Sequence, residues 1–132
     1  MTKIPDHSVD MILCDLPYQI TAHSWDNIIP FDELWKQYER IIKDDGAIVL
    51  TASGSFVYKL IHSKPNLFRY KWIWVKNKIG NFVNAKHRPM TSFEEVLVFS
   101  KAAASPNTKN AMKYRPQGLV PKKSPRYYRQ KK

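Results

Sequence analysis

The 132-residue sequence is poor in cysteine and glycine, and it contains no long hydrophobic run. Its single cysteine, Cys14, excludes a disulfide within the chain and predicts a reducing, cytoplasmic location. No apolar stretch approaches the roughly 20 residues of a membrane-spanning helix, and the polar N-terminus does not resemble a signal peptide. One cysteine and four scattered histidines show no metal-ligand spacing. The sequence therefore predicts a protein without a membrane span, a disulfide or a metal centre.

Acidic residues are absent from the last quarter of the chain. Residues 1–100 hold 12 Lys or Arg and all 11 Asp and Glu, whereas residues 101–132 hold 10 Lys or Arg and no acid. Such basic tails often bind nucleic acid, especially where aromatic residues lie between the cations, but many are simply solvated, disordered ends. We expect one domain over residues 1–100 and a basic, largely irregular tail over residues 101–132.

An apolar run over residues 9–14 ends abruptly in Asp15-Leu16-Pro17-Tyr18. The run is typical of a buried strand, and Pro17 ends it because proline has no N–H to donate to a sheet ladder. Asp15 and Tyr18 are therefore expected at the carboxyl end of a strand, where open α/β sheets bind ligands. The same four residue types also occur in ordinary turns, in which the Asp caps the backbone and the Tyr packs.

The rest of the pattern predicts an α/β fold in the order β-α-β-α-β-β. The predicted elements are an amphipathic helix over 30–43, a turn at 44–46, a buried strand over 47–52, a short helix over 56–63, a β-rich segment over 69–76, an irregular basic loop over 78–91 and a strand over 93–100. We expect the first two strands to form a βαβ unit and the last two to pair antiparallel.

An acid and an aromatic ring on a rigid turn suit the chemistry of an exocyclic base amine. Such an amine is a poor nucleophile because its lone pair is delocalised into the ring. A carboxylate and a nearby backbone carbonyl can accept its two N–H hydrogens and so free the lone pair, and a proline turn holds both acceptors in place. The aromatic ring can stack on a base that has been taken out of the helix.

The run VDMILCDLPY at residues 9–18 resembles the catalytic motif [DNS]-P-P-[YFW] of DNA methyltransferases that modify exocyclic amines. Further segments that resemble this family follow in order: Trp25-Asp26, residues 46–50, residues 74–77, residues 80–82, Arg88-Pro89 and residues 93–99. Their order resembles the permuted β class, in which the catalytic half comes first. The resemblance implies a partial Rossmann-like methyltransferase sheet, DNA as the substrate and S-adenosylmethionine as the methyl donor.

The resemblance also assigns roles to residues of the turn. Asp15 and the carbonyl of Leu16 would accept the target amine and lie near the donor's methyl group, Pro17 would support the turn, and Tyr18 would stack on the flipped base. An initial Asp is more usual in adenine-N6 than in cytosine-N4 enzymes. The candidate contacts to DNA or to the base pocket are Trp25, Asn84, His87 and Arg88. A lone loop histidine such as His87 is expected to be a surface contact rather than a base.

Three departures from the family pattern qualify this interpretation. Leu16 replaces a more common Pro, and Gln19 stands where Gly is frequent, so a left-handed backbone there would be costly. None of the four glycines forms the Gly-x-Gly of the family's cofactor half. We therefore expect a chain truncated before that motif, with residues 101–132 as the possible start of a target-recognition region and weak or absent donor binding.

Several interpretations stay open at this point. The chain can be the catalytic half of a DNA adenine methyltransferase, a non-catalytic remnant that binds DNA or a partner, or a half-enzyme completed by another chain. An unrelated basic interaction domain is the residual alternative. Because the missing strands would leave the first strand unpaired on one side, we expect a homodimer or a partner chain to cover that edge.

Overall fold

The computed structural model describes residues 1, 3–19, 23–24, 26–80 and 82–121. Its elements are β1 (Val9–Asp15), α1 (Phe31–Ile41), β2 (Ile42–Ala52), α2 (Ser55–Ser63), β3 (Phe68–Gly80) and β4 (Thr91–Phe99), with a 3-10 turn at Phe82–Asn84. The predicted order β-α-β-α-β-β is therefore confirmed. Neither α-helix in this described part is long and apolar enough to cross a membrane.

The four strands form one sheet in the order β1-β2-β4-β3. β1 and β2 pair parallel, whereas β4 pairs antiparallel with both β2 and β3. The expected antiparallel pairing of the last two strands is thus correct. Within the described residues β1 is an outer strand with one unpaired side, as the sequence predicted.

Helix α1 buries one apolar face against the sheet. Its buried side chains are Leu34, Trp35, Tyr38 and Ile41. The Trp35 ring packs on Phe99 of β4 with 4.9 Å between ring centroids, and its indole N–H donates to Ser63 Oγ at 2.8 Å. Trp35 thereby joins α1 to the end of α2 and to the centre of the sheet.

The helices cover one face of the sheet, and the first part of the tail covers only part of the other face, which we call the open face. Ile48 and Leu50 of β2 are completely buried under the helices. Val49 and Thr51 alternate with them and point to the other side, because successive side chains of a strand point to opposite faces. The open face also carries four apolar side chains that are at least half exposed: Met11, Leu13, Trp72 and Trp74.

Residues 44–46 do not form the predicted turn, because β2 begins directly after α1. Ile42 is already extended, with φ −74° and ψ 140°, and it pairs with Val9. The next pair joins Met11 of β1 to Ala47 of β2. Between these two pairs β2 therefore has more residues than β1, and the extra residues form a bulge. A Cβ at Gly46 would lie 2.8 Å from the Asp10 carbonyl oxygen. The glycine therefore permits a close approach of two strands and does not mark a break between elements.

The β3–β4 hairpin is longer than predicted. β3 continues to Gly80, which pairs with Thr91 at the start of β4, so the predicted basic loop over 78–91 begins only after residue 80. Charged residues are accommodated in these strands because they pair across the ladder. Lys71 lies 2.5 Å from Glu95, and Lys76 pairs with the neighbouring Glu94.

The first part of the basic tail packs against the sheet. Ala102 is fully buried, and the Arg69 guanidinium donates to its carbonyl oxygen at 2.6 Å. Lys101 and Lys113 form ion pairs with the acids at positions 44 and 45, with N–O distances of 3.2 and 2.5 Å. The described part of the tail has no helix or strand beyond an isolated bridge, as predicted.

Candidate functional site

The carboxylate of Asp15 stands at the carboxyl end of β1, beside the end of β2. The parallel register pairs Asp15 with Thr51, and paired residues of parallel strands point to the same face. Thr51 Oγ1 donates a hydrogen bond to Oδ1 of Asp15. A side chain of the neighbouring strand β2 therefore binds the acid at the strand end that carries the sequence motif.

Tyr18 turns back over this carboxylate. Its hydroxyl donates to Asp15 Oδ1 at 2.6 Å and lies 2.8 Å from Thr51 Oγ1. Its ring stacks on Phe56 of α2, with 4.9 Å between centroids and 28° between planes. Burial, and then the hydrogen bond to Asp15, raise the pKa of Tyr18 above its ordinary value. Tyr18 is therefore a neutral hydrogen-bond donor at physiological pH.

Leu16 and Pro17 make the turn rigid. The Leu16 side chain is 6% exposed and belongs to the hydrophobic core, so the turn is anchored from below. Pro17 restricts the backbone because its ring fixes φ. The backbone of the turn and the Asp15 carboxylate are consequently held at one edge of the sheet.

Gln19 has the left-handed backbone that the sequence predicted to be costly, with φ of 58°. Its N–H donates to Asp26 Oδ1 at 2.8 Å, and Asp26 is only 4% exposed. The Asp26 carboxylate thus anchors the far end of the turn. The neighbouring candidate contact, Trp25, lies outside the described residues.

Replacing Gln19 by glycine is expected to stabilise the protein by about 0.5–1 kcal/mol. A left-handed residue with a Cβ costs about 1–2 kcal/mol, whereas glycine loses roughly 0.5–1 kcal/mol more backbone entropy on folding. Thermal unfolding should show a Tm about 2–5 °C higher. Gln19→Ala keeps the Cβ and should not share the increase in Tm. Equal Tm values for the two variants would show that the left-handed backbone at Gln19 is not strained.

Asn84, His87 and Arg88 are brought together by a single turn. The backbone N–H groups of His87 and Arg88 both donate to the Asn84 carbonyl, at 2.9 and 3.0 Å. All three residues are exposed. Asn84 ends the 3-10 turn at the tip of the β3–β4 hairpin, and His87 and Arg88 follow that turn.

This hairpin overhangs the edge that carries Asp15. Thr51 at the end of β2 pairs with Val96, and β4 continues five residues further, to Thr91. At about 3.3 Å per residue the hairpin extends about 16 Å past Thr51, in the direction in which β1 and β2 end. We call residues 76–80 and 82–93 the hairpin arm. It carries Lys76, Lys78, Lys86 and Arg88 and no acidic residue.

Comparison with known proteins identifies the family of this chain. A family model named for N6 and N4 methyltransferases and described as DNA methylase matches residues 9–131. The chain belongs to the DNA methylase family. This confirms the family that the sequence motifs indicated.

Solved structures share the fold of this DNA methylase chain. M1.HpyAVI, crystallised as a complex with SAM, matches 92% of the chain at 23% identity with a TM-score of 0.53. The PvuII DNA methyltransferase (cytosine-N4-specific) matches 76% at 14% identity with a TM-score of 0.50. The chain spans 60% of the length of the first and 45% of the second. The likeness confirms the partial Rossmann-like methyltransferase sheet.

A cavity of about 520 Å³ lies on the open face, and its lining includes Met11, Val49, Tyr70, Trp72 and Met112. The residues of the turn at positions 15–18 do not line it. The described residues around Asp15 fit the holding of an amine, and this cavity lies apart from them.

Two residues of the site were not found from the sequence. Thr51 was assigned only to a buried strand, although a βαβ unit brings the carboxyl ends of its two parallel strands to the same edge. The sequence places Phe56 in the short helix over 56–63 but does not predict its contact with Tyr18. That contact depends on how the turn after β1 folds over α2, and no local pattern shows it.

Proposed function

We propose that this chain carries the target-base part of an S-adenosylmethionine-dependent DNA methyltransferase that acts on the exocyclic amine of a flipped base. The observation that carries the proposal is the Asp15 carboxylate at the carboxyl end of β1, held by two hydroxyl groups in a chain of the DNA methylase family. Adenine N6 is the proposed target, since the motif begins with Asp.

The chemistry follows from what the turn offers. Oδ2 of Asp15 and the Leu16 carbonyl accept the two N–H hydrogens of the amine, so its lone pair is no longer tied to the base ring. Because Leu16 is anchored in the core and Pro17 restricts the backbone, these acceptors need little reorganisation. S-adenosylmethionine supplies the methyl group when bound, and a structural relative solved as a SAM complex supports this donor.

The stacking role of Tyr18 is proposed for one face of its ring. Phe56 covers the other face with 4.9 Å between centroids. A flipped base would therefore stack on the side of Tyr18 that faces away from α2. Phe56 would then support the Tyr18 ring from behind while the base stacks on its other face. Stacking on a side chain is a common means of holding a base out of the helix.

The hairpin arm is the proposed DNA contact, with Asn84, His87 and Arg88 near its tip. The arm overhangs the edge with Asp15 and has cations but no acid, so its charge complements a phosphate backbone. The exposed residues Phe82 and Val83 adjoin these polar groups. The arm thus offers charge and apolar surface on the side from which DNA would reach Asp15.

Arg88→Ala is expected to weaken DNA binding and to reduce the salt slope of log K against log [salt] by about 1, because one phosphate contact is lost. The measurement is fluorescence anisotropy with a labelled duplex over a salt series. Lys36→Ala, which removes an equal charge from the exposed side of α1, is the matched control. Equal slopes for both variants would show that the arm does not contact the phosphates.

Deletion of residues 122–132 is expected to reduce the salt slope more than Arg88→Ala does. The deletion removes six Lys and Arg residues, while Lys101 and Lys113 keep their ion pairs with the sheet. The same anisotropy series measures it. An unchanged affinity would show that these six cations do not bind DNA.

A partner chain is the proposed way in which the donor site is completed. Among the described residues β1 has an unpaired side, and the open face exposes apolar side chains including Trp72 and Trp74. A second chain that adds a strand at β1 and covers the open face would satisfy both, and it would supply the Gly-x-Gly that this sequence does not contain. A homodimer is the alternative, and sedimentation of the purified chain distinguishes them.

The function is tested by incubating duplex DNA with S-adenosylmethionine and the chain, alone or with a chain carrying the family's Gly-x-Gly half. Nucleoside mass spectrometry should find N6-methyladenine in the completed mixture, and calorimetry should find weak or absent donor binding to the chain alone. N4-methylcytosine would correct the target base. DNA binding without methylation in either mixture would favour a non-catalytic remnant.

A further inference from the structure

We propose that Thr51 is a positioning residue that, together with Tyr18, fixes the Asp15 carboxylate so that Oδ2 faces the target amine. The inference rests on the proposed methyltransferase function. It goes further because Thr51 lies 36 residues after Asp15 in the chain and outside the motif.

Both hydroxyl groups bind the same oxygen of the carboxylate. Thr51 Oγ1 and the Tyr18 hydroxyl each donate to Oδ1 of Asp15, and they lie 2.8 Å from one another. Among the described residues, none forms a hydrogen bond with Oδ2, and the Asp15 residue is exposed. One oxygen is thus held by the protein while the other is presented at the edge of the sheet.

A count of the protons shows how this holds the carboxylate. Each hydroxyl has one hydrogen to donate, and the ionised carboxylate has none. Thr51 donates its hydrogen to Asp15, and Tyr18 shares its hydrogen between Asp15 and Thr51. If the carboxylate rotated so that its two oxygens exchanged places, both hydrogen bonds to Oδ1 would break during the rotation. The carboxylate is therefore locked with Oδ2 outward.

The two donors are themselves held by rigid parts of the fold. Thr51 lies on β2, which is paired on both sides, so that its neighbours across the sheet are Asp15 and Val96. Tyr18 is fixed through the stacking of its ring on Phe56. An acceptor for a developing transition state is most effective when its orientation is set before the substrate binds.

The test compares Thr51→Val, which keeps the shape but removes the hydroxyl, with Thr51→Ser, which keeps the hydroxyl. In the completed methylation mixture, Thr51→Val should lower kcat about 10- to 100-fold with KM for DNA changed less than about 2-fold, because the acceptor is misplaced but DNA contacts remain. Thr51→Ser should restore kcat to within about 3-fold of the wild type. Thr108→Val, in the exposed tail segment, is the matched control and should leave kcat unchanged.

Tyr18→Phe provides a second variant if Thr51→Val fails to fold, since it keeps the ring on Phe56 and removes only the other hydroxyl. It should also lower kcat, by at least about 3-fold. Full kcat in a folded Thr51→Val or in Tyr18→Phe, or a rise in KM alone, would overturn the positioning role while leaving the methyltransferase function standing. A wild-type chain without methylation in the completed mixture would overturn both.

Discussion

Replacing Asp15 by alanine is expected to lower kcat for methyl transfer by about 10²- to 10³-fold, the usual effect of removing one group that stabilises the transition state. In the proposed mechanism the carboxylate is the acceptor that frees the lone pair of the amine, and no other described acid makes hydrogen bonds with both Tyr18 and Thr51. The measurement is the initial rate of methylation in the completed mixture at saturating DNA. KM for DNA should change little, because the hairpin arm is untouched.

Asp10→Ala is the matched control for this prediction. Asp10 lies on the same strand with its side chain 82% exposed, and it forms an ion pair with Lys43 at 2.7 Å. The charge lost is the same, so a general electrostatic effect would lower both rates alike. A rate that fell equally in both variants, or in neither, would contradict a specific role for Asp15.

Phe99→Ala is expected to lower the free energy of unfolding by about 3–5 kcal/mol, as large-to-small changes of buried aromatic residues do. Phe99 is completely buried in β4, and its ring packs on Trp35 at 4.9 Å and on Phe68 at 5.6 Å between centroids. Because small domains are stable by only about 5–15 kcal/mol, this loss would leave the variant marginally folded or unfolded. Urea denaturation followed by circular dichroism measures it.

Phe82→Ala tests the same replacement at an exposed site. Phe82 lies on the hairpin arm with 76% of its surface exposed, so its removal should change the free energy of unfolding by less than about 0.5 kcal/mol. A similar loss in both variants would mean that the arm is packed against something in solution. Stability retained in Phe99→Ala would contradict the described core.

The sequence predicted the elements of this fold better than their ends. Apolar periodicity identifies α1 and the buried part of β2, because a helix face and a covered strand each require a distinct spacing of apolar residues. The start of β2 could not be predicted in this way. Residues 44–46 look like a turn, and only the approach of Gly46 to the Asp10 carbonyl shows that they belong to a bulged strand.

The residues of the site also fall into two groups: those that adjacent sequence predicts and those that only the structure shows. The turn from Asp15 to Tyr18 is local, so its place at the end of a strand could be predicted from adjacent residues, and its proposed chemistry comes from the same residues and from the family pattern. The positive φ of Gln19 was also within reach, since a position at which glycine is common suggests a left-handed backbone. Thr51 and Phe56 reach the turn from distant parts of the chain, and their side-chain contacts are set by the register and by the packing of α2.

The strand order has a consequence for how substitutions should combine. With about 4.8 Å between neighbouring strands, β1 at one end of the sheet lies about 14 Å from β3 at the other. Changes more than about 7–10 Å apart that share no partners usually add in free energy. We therefore expect a substitution at the free side of β1 and one on the β3 side of the hairpin arm to act independently. For partner binding and for DNA binding, their free-energy effects should add, so their effects on each binding constant should multiply. The proposed recruitment of a second chain and the proposed binding of DNA would then be separable by mutation.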